Sequence, residues 1–338
     1  MPLTDTLKRP LRDLRISLID RCNFRCPYCM PSEKYHHAYQ FLEKGQWLSF
    51  DEIVRLARIF VDLGVTKLRL TGGEPLLRPD LDTLIRQLAI IPGVEDLALT
   101  TNGSMLVPWA GRLKAAGLGR LTISLDTLDE MVFQQMSGEK GSVKDVLEGI
   151  HAAEAAGFDP IKINAVIQRG VNDHTILDLV KYFRGTPHRV RFIEYMDVGN
   201  QNHWDKTQVV SSQEIISRID ANYPLELVGG TKNGGTSEIY RFKDGQGEVG
   251  FISSVTKAFC GTCSRLRLSA DGKMYTCLFA TKGINLGKYL RSGARDEELK
   301  GIIHDGWIKR DDRYSEIRSE IRHSAHPLPK IEMYQIGG

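Results

Sequence analysis

The 338-residue sequence has no apolar run of the roughly 20 residues that a membrane-spanning helix needs. Its first residues, MPLTDTLKRPLRD, lack the apolar core of a secretory signal peptide. The formal net charge of +3 is too small to indicate a general nucleic-acid binder, and long basic runs are missing. These absences predict a cytoplasmic protein that binds neither a membrane nor nucleic acid.

Cysteine is scarce, and its distribution is uneven. The six cysteines fall into two groups of three: Cys22, Cys26 and Cys29 in a C-x3-C-x2-C pattern, and Cys260, Cys263 and Cys277 in a C-x2-C-x13-C pattern. A disulfide framework is not expected, because the cytosol keeps thiols reduced. Three thiols within a short segment instead indicate two metal sites with three cysteine ligands each.

Apolar runs of strand length alternate with helical patterns along the first two thirds of the chain. The predicted strands are 14–19, 66–72, 95–102, 120–126, 161–167 and 190–196. One intervening helix has Ser49 and Glu52 as a capping box and ends at Gly64. Six β-α repeats predict an α/β fold with a parallel sheet, either doubly wound or an incomplete barrel.

Polar residues on these strands favour the barrel. Parallel strands that helices cover on both faces are almost continuously apolar, but here polar residues recur at every second position, as at Lys67, Arg69 and Thr71. One face would pack on helices and the other would line a polar cavity. We predict an incomplete (β/α)6 TIM-like barrel over residues 1–205. Residues 206–338 are predicted to form a smaller β-rich region that closes the barrel, with ADGK as a hairpin turn.

The first cysteine group suits either zinc, with His36 or His37 as a fourth ligand, or an iron–sulfur cluster. Its spacing after the first strand of a β-α barrel resembles the radical S-adenosylmethionine (SAM) enzymes. In that superfamily three cysteines hold a 4Fe–4S cluster whose fourth iron binds SAM. The segment LTGGEP is similar to the glycine-rich motif of the same enzymes, where Gly72 and Gly73 would let the backbone approach the methionine moiety.

The second cysteine group also allows zinc, but its segment has no histidine and no fourth cysteine, so a second cluster with an open iron fits better. Arg265 and Arg267 alternate with leucines between these cysteines. Together with Lys67, Arg69 and Lys162 they would create a cationic basin. Because guanidinium groups pair well with phosphates, the basin predicts a polyphosphate ligand.

The whole set of motifs resembles one family, the GTP 3′,8-cyclases of molybdenum cofactor biosynthesis. The resemblance rests on RCNFRCPYCMP, RLTGGEP, LTTNG, ISLD, KINAVI, RFIEYMDVG, FCGTCSRLRLSADGK and the terminal Gly337-Gly338. It implies two 4Fe–4S clusters and SAM as cofactors. It also implies that a 5′-deoxyadenosyl radical takes the C3′ hydrogen of GTP, after which C3′ attacks guanine C8 and closes a 3′,8-cyclic nucleotide.

The resemblance also implies residue roles. Tyr28, Gly73, Ser124 and Met196 would contact SAM, and Gly337 and Gly338 would reach back into the active site. The residues that would line the GTP site are Arg15, Arg69, Thr100, Lys162, Arg265 and Arg267, with Lys67 and Arg191 as further candidates. The cysteines at 22, 26 and 29 would hold the SAM cluster, and those at 260, 263 and 277 the cluster that meets guanine.

The implied partners are a one-electron donor such as flavodoxin, the next enzyme of the pathway (cyclic pyranopterin monophosphate synthase) and a second copy of the chain in a homodimer. Two alternatives stay open at this point. One is another radical SAM enzyme with an auxiliary cluster, of the peptide-modifying maturase type, although such enzymes usually carry more cysteines. The other is a non-catalytic iron–sulfur or zinc protein, which would need neither GGEP nor a cationic cavity.

Overall fold

The computed structural model describes residues 2–230, 235–322 and 329–337. Its strands are β1 (Asp13–Ser17), β2 (Lys67–Thr71), β3 (Asp96–Thr101), β4 (Arg120–Ser124), β5 (Lys162–Ile167), β6 (Arg189–Glu194), β7 (Leu225–Gly229), β8 (Glu238–Phe242), β9 (Glu248–Ile252), β10 (Arg265–Leu268), β11 (Lys273–Tyr275) and β12 (Ile284–Asn285). They form one large mixed sheet in the order β12-β11-β10-β1-β2-β3-β4-β5-β6-β9-β8-β7.

The centre of the sheet is a run of parallel strands, β1 to β6, that are neighbours in the order in which they occur along the chain. Helical crossovers between consecutive strands give this arrangement. The later strands extend both edges, because β10 pairs in parallel with β1 and β9 pairs in parallel with β6. Residues distant in the chain, such as those of β1 and β10, are thereby brought beside each other.

The helices of the described residues are α1 (Phe50–Asp62), α2 (Leu81–Ala89), α3 (Ala110–Ala115), α4 (Glu130–Ser137), α5 (Val143–Ala155), α6 (Ile176–Phe183), α7 (Ser212–Asp220), α8 (Leu286–Arg291), α9 (Asp296–Ile308), α10 (Arg318–Arg322) and α11 (Met333–Ile336). The predicted capping box of α1 is confirmed. The Glu52 N–H donates to Ser49 Oγ at 3.1 Å, and the Ser49 N–H donates to Glu52 Oε2 at 2.7 Å.

The two faces of the parallel strands differ in burial. On β5, Ile163, Ala165 and Ile167 are fully buried in the main apolar core, whereas Lys162 and Asn164 are half-buried. Full burial of each large apolar side chain contributes about 1.5–3 kcal/mol. The apolar face therefore stabilises the fold, and the other face is left to polar side chains. In the part of the chain that the structure describes, no helix is long and apolar enough to cross a bilayer.

Candidate functional site

The polar face of the sheet lines a cavity of about 380 Å³. Strands β1 to β6 and β8 to β10 contribute to its wall, together with the segments around Phe259 and Cys277 and with Arg310, Asp312 and Ser315. Its lining includes these residues singled out from the sequence: Arg15, Lys67, Arg69, Thr100, Lys162, Arg191, Met196, Cys260, Cys263, Arg265, Arg267 and Cys277. A volume of this size accommodates a small-molecule ligand.

The strand register places three arginines of the cavity in one row. Arg15 on β1 lies opposite Arg69 on β2 and opposite Arg267 on β10. Burial lowers the pKa of Arg15 well below its usual value, and the positive charges of Arg267 and the neighbouring arginines lower it further. Burial and neighbouring arginines also lower the pKa of Arg267. Mutual repulsion in a desolvated site is relieved when an anion binds, so the cavity suits a strongly anionic ligand.

Hydrogen bonds fix several of the cationic side chains of the cavity. Arg69 Nη1 donates to Thr100 Oγ1 at 3.0 Å, and Arg191 Nε donates to the Asn164 side-chain oxygen at 2.9 Å. Burial lowers the pKa of Lys162 to about 7, and Arg120 adds to this effect by charge repulsion. These contacts hold a set of donors in place before any ligand arrives.

The second cysteine group adjoins this row. Arg265 donates to Cys263 Sγ from Nε at 3.3 Å and from Nη2 at 3.2 Å, and Arg310 Nη2 donates to the same sulfur at 3.3 Å. Burial alone would raise the pKa of Cys263, but the charges of Arg265 and Arg310 outweigh it and lower that pKa to about 6. Burial and Asp312 raise the pKa of Cys277 to about 11. The arginines thus favour a thiolate at Cys263, the form that binds metal.

Sequence reasoning missed several charged residues of the cavity wall: Asp13, Asp96, Arg120, Arg189 and Arg310. Arg120 could have been found, since it continues the period-two polar pattern of its strand through Thr122 and Ser124. Arg120 is paired with Asp96, and Arg189 with Glu248. Arg310 follows α9, and no local pattern connects it with Cys263.

The first cysteine group lies on the loop that follows β1 and does not line the cavity. The loop folds back on itself, with the Cys29 N–H donating to the Cys26 carbonyl at 3.0 Å. The Phe24 N–H donates to Cys22 Sγ at 3.4 Å, and the Asn102 side chain lies 3.9 Å from the same sulfur. Burial, followed by the Glu74 charge, raises the pKa of Cys22 to about 12. Burial and the neighbouring thiols raise the pKa of Cys26.

The GGEP segment packs against this cysteine loop. The Gly73 N–H donates to the Ile19 carbonyl, and the Glu74 N–H donates to the Arg21 carbonyl, each at 2.8 Å. A Cβ on Gly73 would fall well inside contact distance of the Arg21 backbone, so only glycine fits there. The buried Glu74 carboxylate accepts the Asn102 N–H at 2.8 Å. The close approach at Gly73 is therefore between two protein backbones.

The other residues predicted to contact SAM lie on three different segments: the cysteine loop, the end of β4 and the segment after β6. Tyr28, on the cysteine loop, donates its hydroxyl proton to Asp126 Oδ2 at 2.8 Å, and Asp126 Oδ1 accepts the Val166 N–H at 2.8 Å. Ser124 is half-buried at the end of β4, and Met196 follows β6 at the cavity wall. Burial raises the pKa of Asp126 to about 6.

The C-terminal residues contact Arg267, one of the arginines that line the cavity. Arg267 Nη1 donates to the Ile336 carbonyl at 3.2 Å and also to the Gly337 carbonyl. Gly337 has φ +69° and lies against the Thr71 side chain so closely that a Cβ would overlap it. Gly338, singled out with Gly337, lies outside the described residues.

All six cysteines are free, half-buried thiols. Across residues 2–230, 235–322 and 329–337, no three His, Cys, Asp or Glu side chains are already arranged as a metal site. The chemistry of each group nevertheless fits an iron–sulfur cluster. Each supplies three soft sulfur ligands on a short segment, with N–H donors or guanidinium groups beside the sulfurs.

Comparison with known proteins decides the family. A family model described as Radical SAM superfamily matches residues 16–183, and one described as Molybdenum Cofactor Synthesis C matches residues 188–316. The GTP 3′,8-cyclase of Xanthomonas axonopodis pv. citri (strain 306) is 50% identical over 100% of this chain and 99% of its own length. The chain belongs to the GTP 3′,8-cyclase family.

Other members of the GTP 3′,8-cyclase family match over the same extent. The protein of that name from Staphylococcus saprophyticus subsp. saprophyticus is 47% identical over 99% of each chain. Among solved structures, Streptococcus suis SuiB bound to S-adenosylmethionine has a TM-score of 0.62 and 15% identity, and the match covers 96% of this chain and 72% of SuiB. This likeness shows the fold. Membership of the radical SAM superfamily implies an iron–sulfur cluster and SAM.

Proposed function

We propose that this chain is an enzyme that converts GTP to 3′,8-cyclo-7,8-dihydroguanosine 5′-triphosphate, the first step of molybdenum cofactor biosynthesis. One observation carries the proposal: three arginines in strand register and three cysteines line the same cavity. Relatives about 50% identical over the full chain have the name GTP 3′,8-cyclase, which supports this substrate and reaction.

The cysteine loop after β1 would hold the first 4Fe–4S cluster through Cys22, Cys26 and Cys29. When bound, this cluster and SAM would supply the 5′-deoxyadenosyl radical that removes the C3′ hydrogen of GTP. C3′ would then bond to C8, and the cyclised radical would take up one further electron, from the one-electron donor, and a proton. The chain's own contribution is to orient and shield. Tyr28 is held by Asp126, and Gly73 fixes the cysteine loop against GGEP. Gly73, Tyr28, Ser124 and Met196 are our proposed SAM contacts.

The cavity would bind GTP between its charged wall and the second cysteine group. Arg15, Arg69, Arg265 and Arg267, with Lys67, Lys162 and Arg191, can supply N–H donors to the triphosphate and ribose. Thr100 contributes a hydroxyl beside Arg69. Cys260, Cys263 and Cys277 would hold a second 4Fe–4S cluster beside the guanine. A cavity of about 380 Å³ would hold C3′ against C8, and such positioning is a large source of rate in a ring closure.

We further propose that β1 to β6 form an incomplete (β/α)6 TIM-like barrel, with residues 1–205 as the radical SAM part and 206–338 as the part that closes it. The successive parallel pairing of β1 to β6 supports the barrel. The two family matches, which meet near residue 185, support a division, and the pairing of β9 and β10 with β6 and β1 supports closure. The Gly337–Gly338 tail would enter the active site beside Arg267.

The reaction requires a one-electron donor such as flavodoxin, and the product would pass to cyclic pyranopterin monophosphate synthase. These partners, the homodimer and the cytoplasmic location belong to the proposal. The family resemblance supports them.

Anaerobic reconstitution tests the proposal. The wild-type chain is expected to bind about eight irons per monomer, as two 4Fe–4S clusters. With reductant, SAM and GTP it should form the cyclic nucleotide. Cys277→Ala should retain about four irons and lose cyclisation. Zinc at the second cysteine group, or cyclisation unaffected by Cys277→Ala, would contradict the role given to that group.

A further inference from the structure

The short C-terminal segment 329–337 contacts both cysteine regions at once. Buried Tyr334 packs with Met30 and Tyr35 in an apolar cluster, and the Cys29 side chain of the first cysteine loop packs against this cluster. The carbonyls of Ile336 and Gly337 accept hydrogen bonds from Arg267, which lies between the cysteines of the second group. We call residues 329–337 the tail. The position of the tail therefore affects both Cys29, a proposed cluster ligand, and Arg267, a proposed GTP contact.

Aromatic packing fixes the middle of the tail. The buried Tyr334 ring packs edge-on against Tyr35 with 5.2 Å between ring centroids, and its hydroxyl lies 3.0 Å from the Tyr39 hydroxyl. Tyr334 lies in helix α11, which begins after Glu332 and ends before Gly337. Because α11 is a single helical turn, Glu332 at its start and the Ile336 carbonyl at its end are only one turn apart, so a contact at Glu332 restrains the position of that carbonyl.

The start of the tail is held by the loop that follows β6. The Asn200 side chain pairs with the Lys330 backbone in both directions: its Nδ2 donates to the Lys330 carbonyl at 2.6 Å, and its Oδ1 accepts the Lys330 N–H at 2.9 Å. Nδ2 also donates to Glu332 Oε1 at 3.0 Å. Gly199 (φ +63°) leaves no space for a Cβ beside the Glu332 carboxylate. Gly199 and Asn200 of the loop are thus in direct contact with Lys330 and Glu332 of the tail.

A buried carboxylate reinforces this contact. Asp197 accepts hydrogen bonds from Tyr314 at 2.5 Å, from Arg318 Nε at 2.8 Å and from Lys330 Nζ at 3.0 Å. Lys330 Nζ also donates to the Asp197 carbonyl at 2.6 Å. Asp197 and Arg318 are buried. Charge-assisted hydrogen bonds of this kind are strong, so the loop after β6 is a firm anchor for the tail.

We propose that Asp197 and Asn200 are positioning residues. They hold the tail so that the Ile336 and Gly337 carbonyls orient the Arg267 guanidinium toward the phosphates of the nucleotide. This proposal rests on the proposed function, because it assigns Arg267 to GTP. Asp197 and Asn200 themselves act through the tail. A guanidinium held in one rotamer before binding loses less entropy when GTP arrives, so the anchor strengthens binding.

Asn200→Ala in the full-length, anaerobically reconstituted chain tests the proposal. Asn200 is exposed, so the variant should keep the melting temperature of the wild type. Backbone amides of residues 331–336 should exchange with deuterium about tenfold faster, because the tail opens locally. The dissociation constant for GTP should rise about 2- to 10-fold, as the Arg267 side chain must now be ordered on binding.

The matched control is Asn222→Ala. Asn222 is another exposed asparagine whose side chain donates to a backbone carbonyl, that of Arg218, far from the tail in sequence. It should change neither tail exchange nor GTP affinity. Lys330→Ala approaches the same anchor from the tail side and should reproduce the effects of Asn200→Ala.

Unchanged exchange of residues 331–336 in both anchor variants would overturn the anchor. Faster exchange with unaltered GTP affinity would overturn its link to Arg267. If the wild-type chain does not bind GTP at all, the proposed function is overturned instead. The exchange measurement needs no GTP, so it tests the anchor separately.

Discussion

Arg15 and Arg267 lie directly opposite each other on the adjacent parallel strands β1 and β10. The two residues are far apart in the chain, and the sheet brings their like charges together in a buried cavity. Burial lowers the pKa of both guanidinium groups; repulsion from Arg267 lowers that of Arg15 further, and repulsion from Arg265 lowers that of Arg267. A protein holds such an arrangement at a cost in stability, which an anionic ligand offsets when it binds.

Removing either arginine should weaken GTP binding. Hydrogen bonds to charged groups contribute about 1.5–3 kcal/mol, so Arg15→Ala and Arg267→Ala should each raise the dissociation constant for GTP about 10- to 100-fold. Arg58→Ala, on the exposed face of α1, should leave it unchanged. Isothermal titration of the three variants measures the effect. Equal affinities for wild type and both cavity variants would remove the arginines from the GTP site.

GTP affinity should fall as the pH rises through neutrality. Burial, with repulsion from Arg120 and other arginines, lowers the pKa of Lys162 to about 7 in the unliganded cavity. A bound triphosphate would favour the charged ammonium and raise that pKa, so binding takes up a proton above about pH 7. The contribution of Lys162 is therefore complete below pH 7 and declines above it, by at most about tenfold per pH unit.

Titrations between pH 6 and pH 9 with wild type and Lys162→Arg measure this. The arginine variant keeps its charge over the whole range, and the titration of the GTP phosphates is common to both proteins. The difference between the two pH profiles reports on Lys162. Parallel profiles would show that Lys162 does not change its protonation when GTP binds.

Gly73→Ala should disturb the first cysteine loop. Its Cβ would overlap the Arg21 backbone next to Cys22, and overpacking of this kind costs about 1–3 kcal/mol of the free energy of unfolding. We expect lower stability in denaturant titrations and less iron at the first group. Gly301→Ala is the control, because a Cβ there meets nothing within 4 Å and helix α9 should gain about 0.5–1 kcal/mol. Normal iron content in Gly73→Ala would contradict this packing.

Asp197→Asn should reduce stability in a pH-dependent way. Burial opposes ionisation of Asp197, but Arg318 and then Lys330 outweigh it and hold the pKa below its usual range. Loss of the charge leaves the buried Arg318 unpaired, which should cost about 3 kcal/mol at pH 7. A depressed folded pKa stabilises the protein above about pH 4, and this contribution is lost as the pH falls further.

Urea denaturation of wild type and Asp197→Asn at pH 7 and at pH 3.5 gives the comparison. The difference in the free energy of unfolding should be smaller at the lower pH. Asp311→Asn, an exposed carboxylate, should show little difference at either pH. An equal loss at both pH values for Asp197→Asn would point to packing and not to charge.

Local sequence patterns were sufficient to predict the parallel strands β1 to β6. The predicted strand at 161–167 is β5 at Lys162–Ile167, and ADGK is the turn between β10 and β11 as expected. Period-two polarity identifies a strand with one polar face because side chains alternate across the sheet. The helix α4 at Glu130–Ser137 was missed, although Asp129 caps it by accepting the Val132 N–H at 3.0 Å.

Partners distant in the chain could not be predicted in the same way. The sequence RLRL of β10 does not predict that this strand pairs with β1, because the packing of the whole sheet determines which parallel strands are neighbours. The contacts of Arg310 with Cys263 and of Asn200 with Lys330 also join residues distant in the chain, so local patterns could not predict them. The cysteine spacing, in contrast, is a local pattern, and it predicts two sets of metal ligands because such ligands must be close in space and short loops bring them close in sequence.

Following the C3′ hydrogen of GTP is the most direct test of whether this chain cyclises GTP. GTP carrying deuterium at C3′ is supplied to the anaerobically reconstituted chain with SAM and reductant, and the 5′-deoxyadenosine formed is analysed by mass spectrometry. We expect the deuterium to appear in 5′-deoxyadenosine, and the cyclised nucleotide to form with it. Unlabelled 5′-deoxyadenosine, or its formation at the same rate without GTP, would contradict the assignment of this cavity to GTP cyclisation.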